Sequence, residues 1–185
     1  MTRVLTILFL LGTVMSMALP CLATEGGKTA VPYRTLSLET FNCFVANWDA
    51  EKQPVLCADI RTRTDWATLF KAAAVMGTAK PFAPDAKLFE KEQILVVARV
   101  MPAPDHDQSE KIFTVETISG NDEELEFRYQ YQPPDTVATY TVKLPLLVVV
   151  PKHAYRKIVF IENTTTVGTL DLVTGQWVIP AQKKK

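Results

Sequence analysis

Histidine and glycine are scarce in this chain, whose 185 residues hold 2 histidines and 7 glycines. His106 and His153 stand too far apart in sequence to share a turn of helix, and no glycine-rich phosphate loop or Gly-x-Ser-x-Gly turn occurs. The usual signatures of zinc hydrolases, P-loop nucleotide binders and α/β-hydrolases are therefore missing. An excess of either charge is missing too, with 20 basic and 20 acidic side chains. A nucleic-acid partner needs a basic face that displaces counterions, and the one basic run is Lys183-Lys184-Lys185, which reads as a solvated tail. Nucleic acid is not expected as a partner.

The first two dozen residues have a definite character. Arg3 is the only charge before Glu25, residues 4–19 are almost unbroken apolar sequence, and Pro20-Cys21-Leu22-Ala23 follows. This run is short for a spanning helix, which wants about 20 apolar residues, and it has the basic, apolar and small-residue zones of a secretory leader. The expectation is cleavage after Ala23 and a secreted or periplasmic product. The alternative is a lipoprotein acylated at Cys21, the only route by which a membrane enters. Pro20, with its fixed ring and no N–H, is a poor residue for the protease subsite before such a cysteine.

Export gives the other cysteines, Cys43 and Cys57, an oxidising destination. An even count favours a Cys43–Cys57 disulfide, and closing that loop stabilises by about 3 kcal/mol in the chain-entropy model. Two buried thiols are the alternative. Asn163-Thr164-Thr165 fits a glycosylation sequon, with meaning only in a eukaryotic host.

The body of the chain is mostly strand-like. Residues 36–40 alternate and residues 54–60 are β-rich, which predicts a hairpin stapled by the two cysteines, with residues 47–53 as its turn. Thr64-Asp65 offers a helix start, and Trp66, Leu69, Phe70, Ala73 and Met76 recur at helical spacing up to Gly77. Residues 93–100 and 146–150 are apolar without alternation, the pattern of strands covered on both faces. Leu125, Phe127, Tyr129 and Tyr131 alternate with Glu126, Arg128 and Gln130, so the aromatic stripe reads as the inner face of a sheet. Asn121-Asp122-Glu123-Glu124 lacks the register of a calcium loop and reads as a hairpin tip. The order of elements predicts an α+β fold, one helix packed on a mainly antiparallel β-sheet. The expected organisation is a leader over residues 1–23, a short flexible start over 24–30, one domain over 31–166, and a C-terminal hairpin or flexible tail over 167–185.

Over residues 57–162 this succession resembles the PrcB-type domain, a family of small exported bacterial proteins named for a protease-complex subunit. The resemblance is carried by the strand at Cys57, the Thr64-Asp65-Trp66 helix start, the apolar strand of residues 89–100, two alternating strands, and the Val149-Val150-Pro151-Lys152 strand end. It departs from the family pattern at residues 102–108, where no glycine stands beside an aromatic residue. The resemblance implies a non-catalytic partner or stabiliser of an envelope protease complex.

Residue chemistry adds little to that. Asp105, His106, Asp107 and Glu110 lie close in sequence, but neighbours in one loop rarely converge on a metal, and His153 has no serine or free cysteine to act on. No catalytic residue, metal or cofactor is expected. Trp48 and Trp177, set in polar surroundings, are the candidates for exposed recognition, with capping of the core beneath a loop as the other reading. The leading expectation is a non-catalytic protein that works through protein–protein contact. The alternative is a small-ligand or carbohydrate-binding module.

Overall fold

The two long apolar runs become the middle strands of one sheet, and the rest of the chain is arranged to cover them. The computed structural model describes residues 27–74, 79–105, 109, 111–135 and 138–178. In chain order these form β1 (Thr29–Ala30), β2 (Arg34–Leu36), a 3-10 turn (Leu38–Thr40), β3 (Cys43–Val45), β4 (Val55–Ile60), α1 (Arg63–Leu69) and β5 (Phe70–Ala72). There follow α2 (Leu88–Lys91), β6 (Glu92–Pro102), β7 (Phe113–Gly120), β8 (Glu124–Tyr131), β9 (Thr141–Pro151), β10 (Lys157–Glu162), β11 (Thr165–Asp171) and β12 (Trp177–Val178).

An inner, fully antiparallel sheet has the order β2-β9-β6-β4, and an outer sheet has the order β1-β7-β8-β10-β11-β12. The fold is thus α+β, with short helices on antiparallel-dominated sheets. One pair departs from that rule, because β8 and β10 run parallel, from Glu124 beside Lys157 to Tyr129 beside Glu162. Parallel neighbours cannot be joined by a tight turn, and here the chain crosses to the inner sheet as β9 before returning as β10.

Alternation sorts the side chains of the inner sheet into two cores. Val55, Cys57, Leu95, Val97, Val148 and Val150 face the outer sheet, against Ile118, Leu125, Phe127, Tyr129, Ile158 and Phe160. Leu56, Ile60, Ile94, Val96, Ala98, Leu147 and Val149 face the other way, under Val45, Trp48, Trp66, Leu69, Phe70 and Phe89. The aromatic stripe is an inner face as expected, with Phe127 and Tyr129 fully buried. The acid-rich stretch is the tip between β7 and β8, where Asn121 Oδ1 accepts from the N–H groups of Glu123 and Glu124.

Several expectations need correction. The Cys43–Cys57 staple does not form: both residues are free thiols. The reason is the pleat, since Cys57 points into the inter-sheet core while Cys43, paired through its backbone with Ala72, packs on the core of the opposite face. Nor do residues 36–40 and 54–60 make a hairpin, because β2 pairs with β9 and β4 with β6. The helix ends at Leu69, where Phe70 turns extended (φ −109°, ψ 133°) to start β5 alongside β3. Met76 and Gly77 lie outside the described residues.

The start of the domain is also earlier than residue 31. β1 pairs with the end of β7, and Lys28 Nζ reaches Glu124 at 2.5 Å and Glu126 at 2.8 Å. At the other end, β11 and β12 form the hairpin around Thr174 and Gly175, and Leu170 and Leu172 pack against the inter-sheet core. Residues 167–178 therefore belong to the domain.

Two predictions follow from these placements. Burial pushes the Cys43 thiol up to about 11 and the Cys57 thiol well above its ordinary value, so both stay protonated at neutral pH. Peptide mapping after alkylation in denaturant without reductant should find both residues modified, and the native protein should leave Cys57 unmodified. Labelling that appears only after reduction would restore the disulfide.

The second prediction concerns acid. Burial opposes the charge on Glu124 and Glu126, yet hydrogen bonds from Lys157, Lys28 and Arg128 prevail and hold both carboxyls below the ordinary range. Their contribution is present above the unfolded glutamate value of about 4.3 and is lost as pH falls through the lower folded values. Lys28→Met should cost about 1 kcal/mol at pH 7 and flatten the acid limb of a urea-stability profile, relative to the parent.

Candidate functional site

A concave surface lies on the helix-bearing face, and its shape begins with a helix cap. Thr62 Oγ1 accepts from the Asp65 N–H at 3.1 Å, and Asp65 Oδ2 accepts from the Thr62 N–H at 2.9 Å, a reciprocal capping box that fixes the start of α1. The cap falls two residues before the expected start at Thr64. With α1 held, Trp66 is buried, stacked on Phe70 at 4.2 Å and edge-on to Phe41 at 5.2 Å. Its indole N–H donates to the Phe82 carbonyl at 3.1 Å, so a core residue holds the backbone of the proline-rich loop before α2.

That loop does not lie flush with the core. Leu36 and Phe41 form one wall, and Pro81, Ala83, Pro84, Ala86 and Leu88 form the other, around a groove of about 550 Å³. Arg63 and Asp85 stand at its rim. Asp85 is already engaged, its Oδ1 accepting from the Lys87 N–H at 2.9 Å. Phe82, next to the groove in sequence, is 56% exposed. The combination is an open apolar trough with one guanidinium on its edge. It can hold apolar side chains and steer an acidic group, and it offers no nucleophile.

A second constellation lies inside, at one end of the inter-sheet layer. Glu162 of β10 is buried and takes a two-point grip from Arg99 of β6, at 2.9 Å from Nε and 2.5 Å from Nη2. The Tyr129 hydroxyl donates to the same carboxylate at 3.0 Å, and the Arg99 guanidinium lies 4.6 Å from the centre of the Tyr131 ring. Burial, with Glu162 nearby, also pushes the Tyr129 hydroxyl far up, so it stays protonated and donates. Cys57 faces the same layer, and its burial and the Glu162 charge both disfavour a thiolate. The cluster is a closed network joining the sheets, with its strong acceptor already occupied. No group of three His, Cys, Asp or Glu side chains fit to hold a metal occurs among the described residues.

The recognition candidates fare differently. Trp48 is only 8% exposed: its indole N–H donates to the Gln53 carbonyl at 2.8 Å, and Lys143 Nζ sits 5.4 Å above the ring. It is corrected from an exposed recognition residue to a cap on the core beneath its loop, because its polar neighbours Asn47 and Asp49 face outward while the ring turns in. Trp177 pairs with Leu170 through its backbone, and its side chain lies outside the described residues, as do His106, Asp107 and Glu110. His153 is exposed, its ring tilted against that of Tyr155 with the centroids 4.6 Å apart. The groove and the Arg99–Glu162 pair were both missed from sequence. The available signals were Pro81 and Pro84 framing Phe82, and a charge ending each of two apolar strands.

No protein-family model matches the chain, and neither does any curated protein or any solved structure.

The interior network generates a prediction. Removing one partner of a buried pair leaves the other charge without compensation, so Arg99→Ala should cost about 2–4 kcal/mol in urea unfolding, the lower part of the range reflecting the guanidinium's partial exposure. The double variant Arg99→Met with Glu162→Leu should recover much of that loss. A single variant within about 0.5 kcal/mol of the parent would show that the pair carries no weight.

Proposed function

We propose that this is an exported, non-catalytic protein that works by protein–protein contact, and that the contact surface is the groove between Leu36, Phe41 and the Pro81–Leu88 wall. The carrying observation is the trough itself: apolar walls, open to solvent, with an exposed Phe82 beside it. Water is a poor occupant of such walls, and an apolar segment of a partner is a good one. On the resemblance to PrcB-type domains, the partner is a subunit of an envelope protease complex.

The competing reading is a module for a small ligand or carbohydrate. The trough volume suits a small molecule, but a sugar site needs an aromatic face with polar groups converging on it. Trp48 supplies neither, with its ring capped by Lys143 and its N–H spent on Gln53. The groove walls are instead proline, alanine and leucine with one phenylalanine. Protein contact is the better reading of these walls.

The experiment is photocrosslinking in the native envelope with a reactive residue in place of Phe82, followed by identification of the adduct. Ala86 lines the groove and is exposed, so Ala86→Arg should obstruct it without disturbing the core. The expected result is one dominant adduct with an envelope protein, reduced about tenfold by Ala86→Arg at unchanged melting temperature, a loss of about 1.4 kcal/mol. An adduct indifferent to Ala86→Arg, or none in a correctly exported protein, would turn attention to the small-ligand reading.

A further inference from the structure

The end of the inter-sheet layer opposite the Arg99–Glu162 pair is also polar, but its groups are not paired with one another. Among the described residues, no protein group reaches Oδ1 of Asp59 or either polar atom of the Gln93 carboxamide. Both side chains are in the interior: Gln93 is fully buried, and the Asp59 side chain is 1% exposed.

Register brings these atoms to one place. β4 and β6 are antiparallel with Asp59 opposite Leu95 and Ile60 opposite Ile94, so Gln93 lies level with Arg61, two places along from Asp59. Asp59 shares its face with Val55 and Cys57, and Gln93 shares its face with Leu95 and Val97, which is the face toward the outer sheet. Diagonal neighbours on one face of a sheet are about 7–8 Å apart at the backbone, a distance that two side chains and a small bridging molecule fill.

The groups around them are already committed. Asp59 Oδ2 accepts from Arg61 Nε at 2.6 Å, and Arg61 Nη2 donates to the His153 carbonyl at 3.3 Å. Lys152 Nζ donates to the carbonyls of Arg61 and Phe89 at 3.2 and 2.9 Å. These bonds tie the β9–β10 connection to the end of β4, and Tyr155 from that connection is buried in the same core. Arg61, Asp65 of α1 and Lys152 are the charges that face Asp59.

We propose that this end of the layer is an internal hydration site, holding at least two ordered water molecules. One bridges Asp59 Oδ1 to the Gln93 carboxamide, and the other serves the amide's second polar atom. The unpaired set selects water over a cation. It contains a donor, Gln93 Nε2, as well as two acceptors, and a metal ion cannot accept a hydrogen bond. Arg61 and Lys152 already supply positive charge beside Asp59, which weakens the case for a cation further. Water both donates and accepts, and buried waters in globular proteins typically make about three such bonds.

The test combines a crystal structure of the purified protein at about 1.5 Å with two variants, Gln93→Leu and Gln93→Met. Density for waters within hydrogen-bond distance of Asp59 Oδ1 and of both amide atoms is expected, and a dry site overturns the proposal. The variants read the same question through stability. If water satisfies the amide, replacing it by an apolar side chain of similar size discards good hydrogen bonds and leaves the Asp59 water short of a partner. Both variants should then melt roughly 3–6 °C lower than the parent. If the amide is unsatisfied, the same replacements remove a buried penalty, and an unchanged or raised melting temperature in both overturns the hydration site.

Discussion

The ladder between β6 and β9 imposes the condition that the rest of the molecule meets. It runs from Glu92 beside Pro151 to Pro102 beside Thr141, and through its middle both strands are apolar toward both faces. A sheet built on such strands cannot leave either face to water, so two separate covers are required. The outer sheet supplies one. The other is a patchwork of α1, the β3–β5 ribbon, α2 and the Trp48 loop. The two covers differ in kind, which explains where the surface is smooth and where it is not. A sheet lays alternate side chains evenly over its neighbour, whereas short elements meet at angles and leave gaps. The groove beside Leu36 and Phe41 is such a gap.

Apolar faces alone fix the distance between two sheets better than they fix their alignment. One layer of Val, Leu and Phe slides over another at modest cost, whereas a two-point arginine–carboxylate grip does not. Arg99 and Glu162 join the sheets at one end in that way, and the Tyr129 hydroxyl completes the carboxylate's partners. Burying such a pair is expensive unless its hydrogen bonds are complete, and here the third bond and the stacking of Arg99 on Tyr131 offset part of that cost. The opposite end differs, because Asp59 is held by Arg61, the residue just past the end of its own strand, and so does not link the sheets directly.

The sequence was most legible where a single strand carried its own evidence. Unbroken apolar runs marked β6 and β9 as central, and strict alternation marked β8 as facing the core on one side. Legibility failed where the decision belonged to a distant partner. Alternation marked residues 36–40 as a strand, yet only Leu36 lies in β2, Leu38–Thr40 forms a 3-10 turn, and nothing local showed that β2 would join β9, more than a hundred residues on. Phe70 and Ala73 fit the helical spacing begun by Trp66 and Leu69, yet Phe70 pairs with Val45 instead, and the ribbon takes precedence over continuation of the helix. The cysteine argument rested on compartment chemistry and was silent about the pleat, which sends Leu56 and Cys57 to opposite cores. Nothing along either strand showed that Arg99 and Glu162 would meet, because their pairing arises only when two sheets close on each other.

The groove owes its shape to the core more than to its own walls. Three bonds hold the backbone of the loop that forms its far side: Asn42 Nδ2 to the Lys80 carbonyl, the Asn42 N–H to the Pro81 carbonyl, and the Trp66 indole to the Phe82 carbonyl, at 2.9, 2.9 and 3.1 Å. Pro81 and Pro84 remove backbone freedom within the same few residues. A wall fixed in this way is preorganised, so an occupant does not have to order it on binding. The same bonds make the groove hostage to Trp66, whose ring position depends on Phe41, Phe70 and the Thr62–Asp65 cap. Loss of the cap would therefore act on the surface through the core, by loosening the indole that holds Phe82.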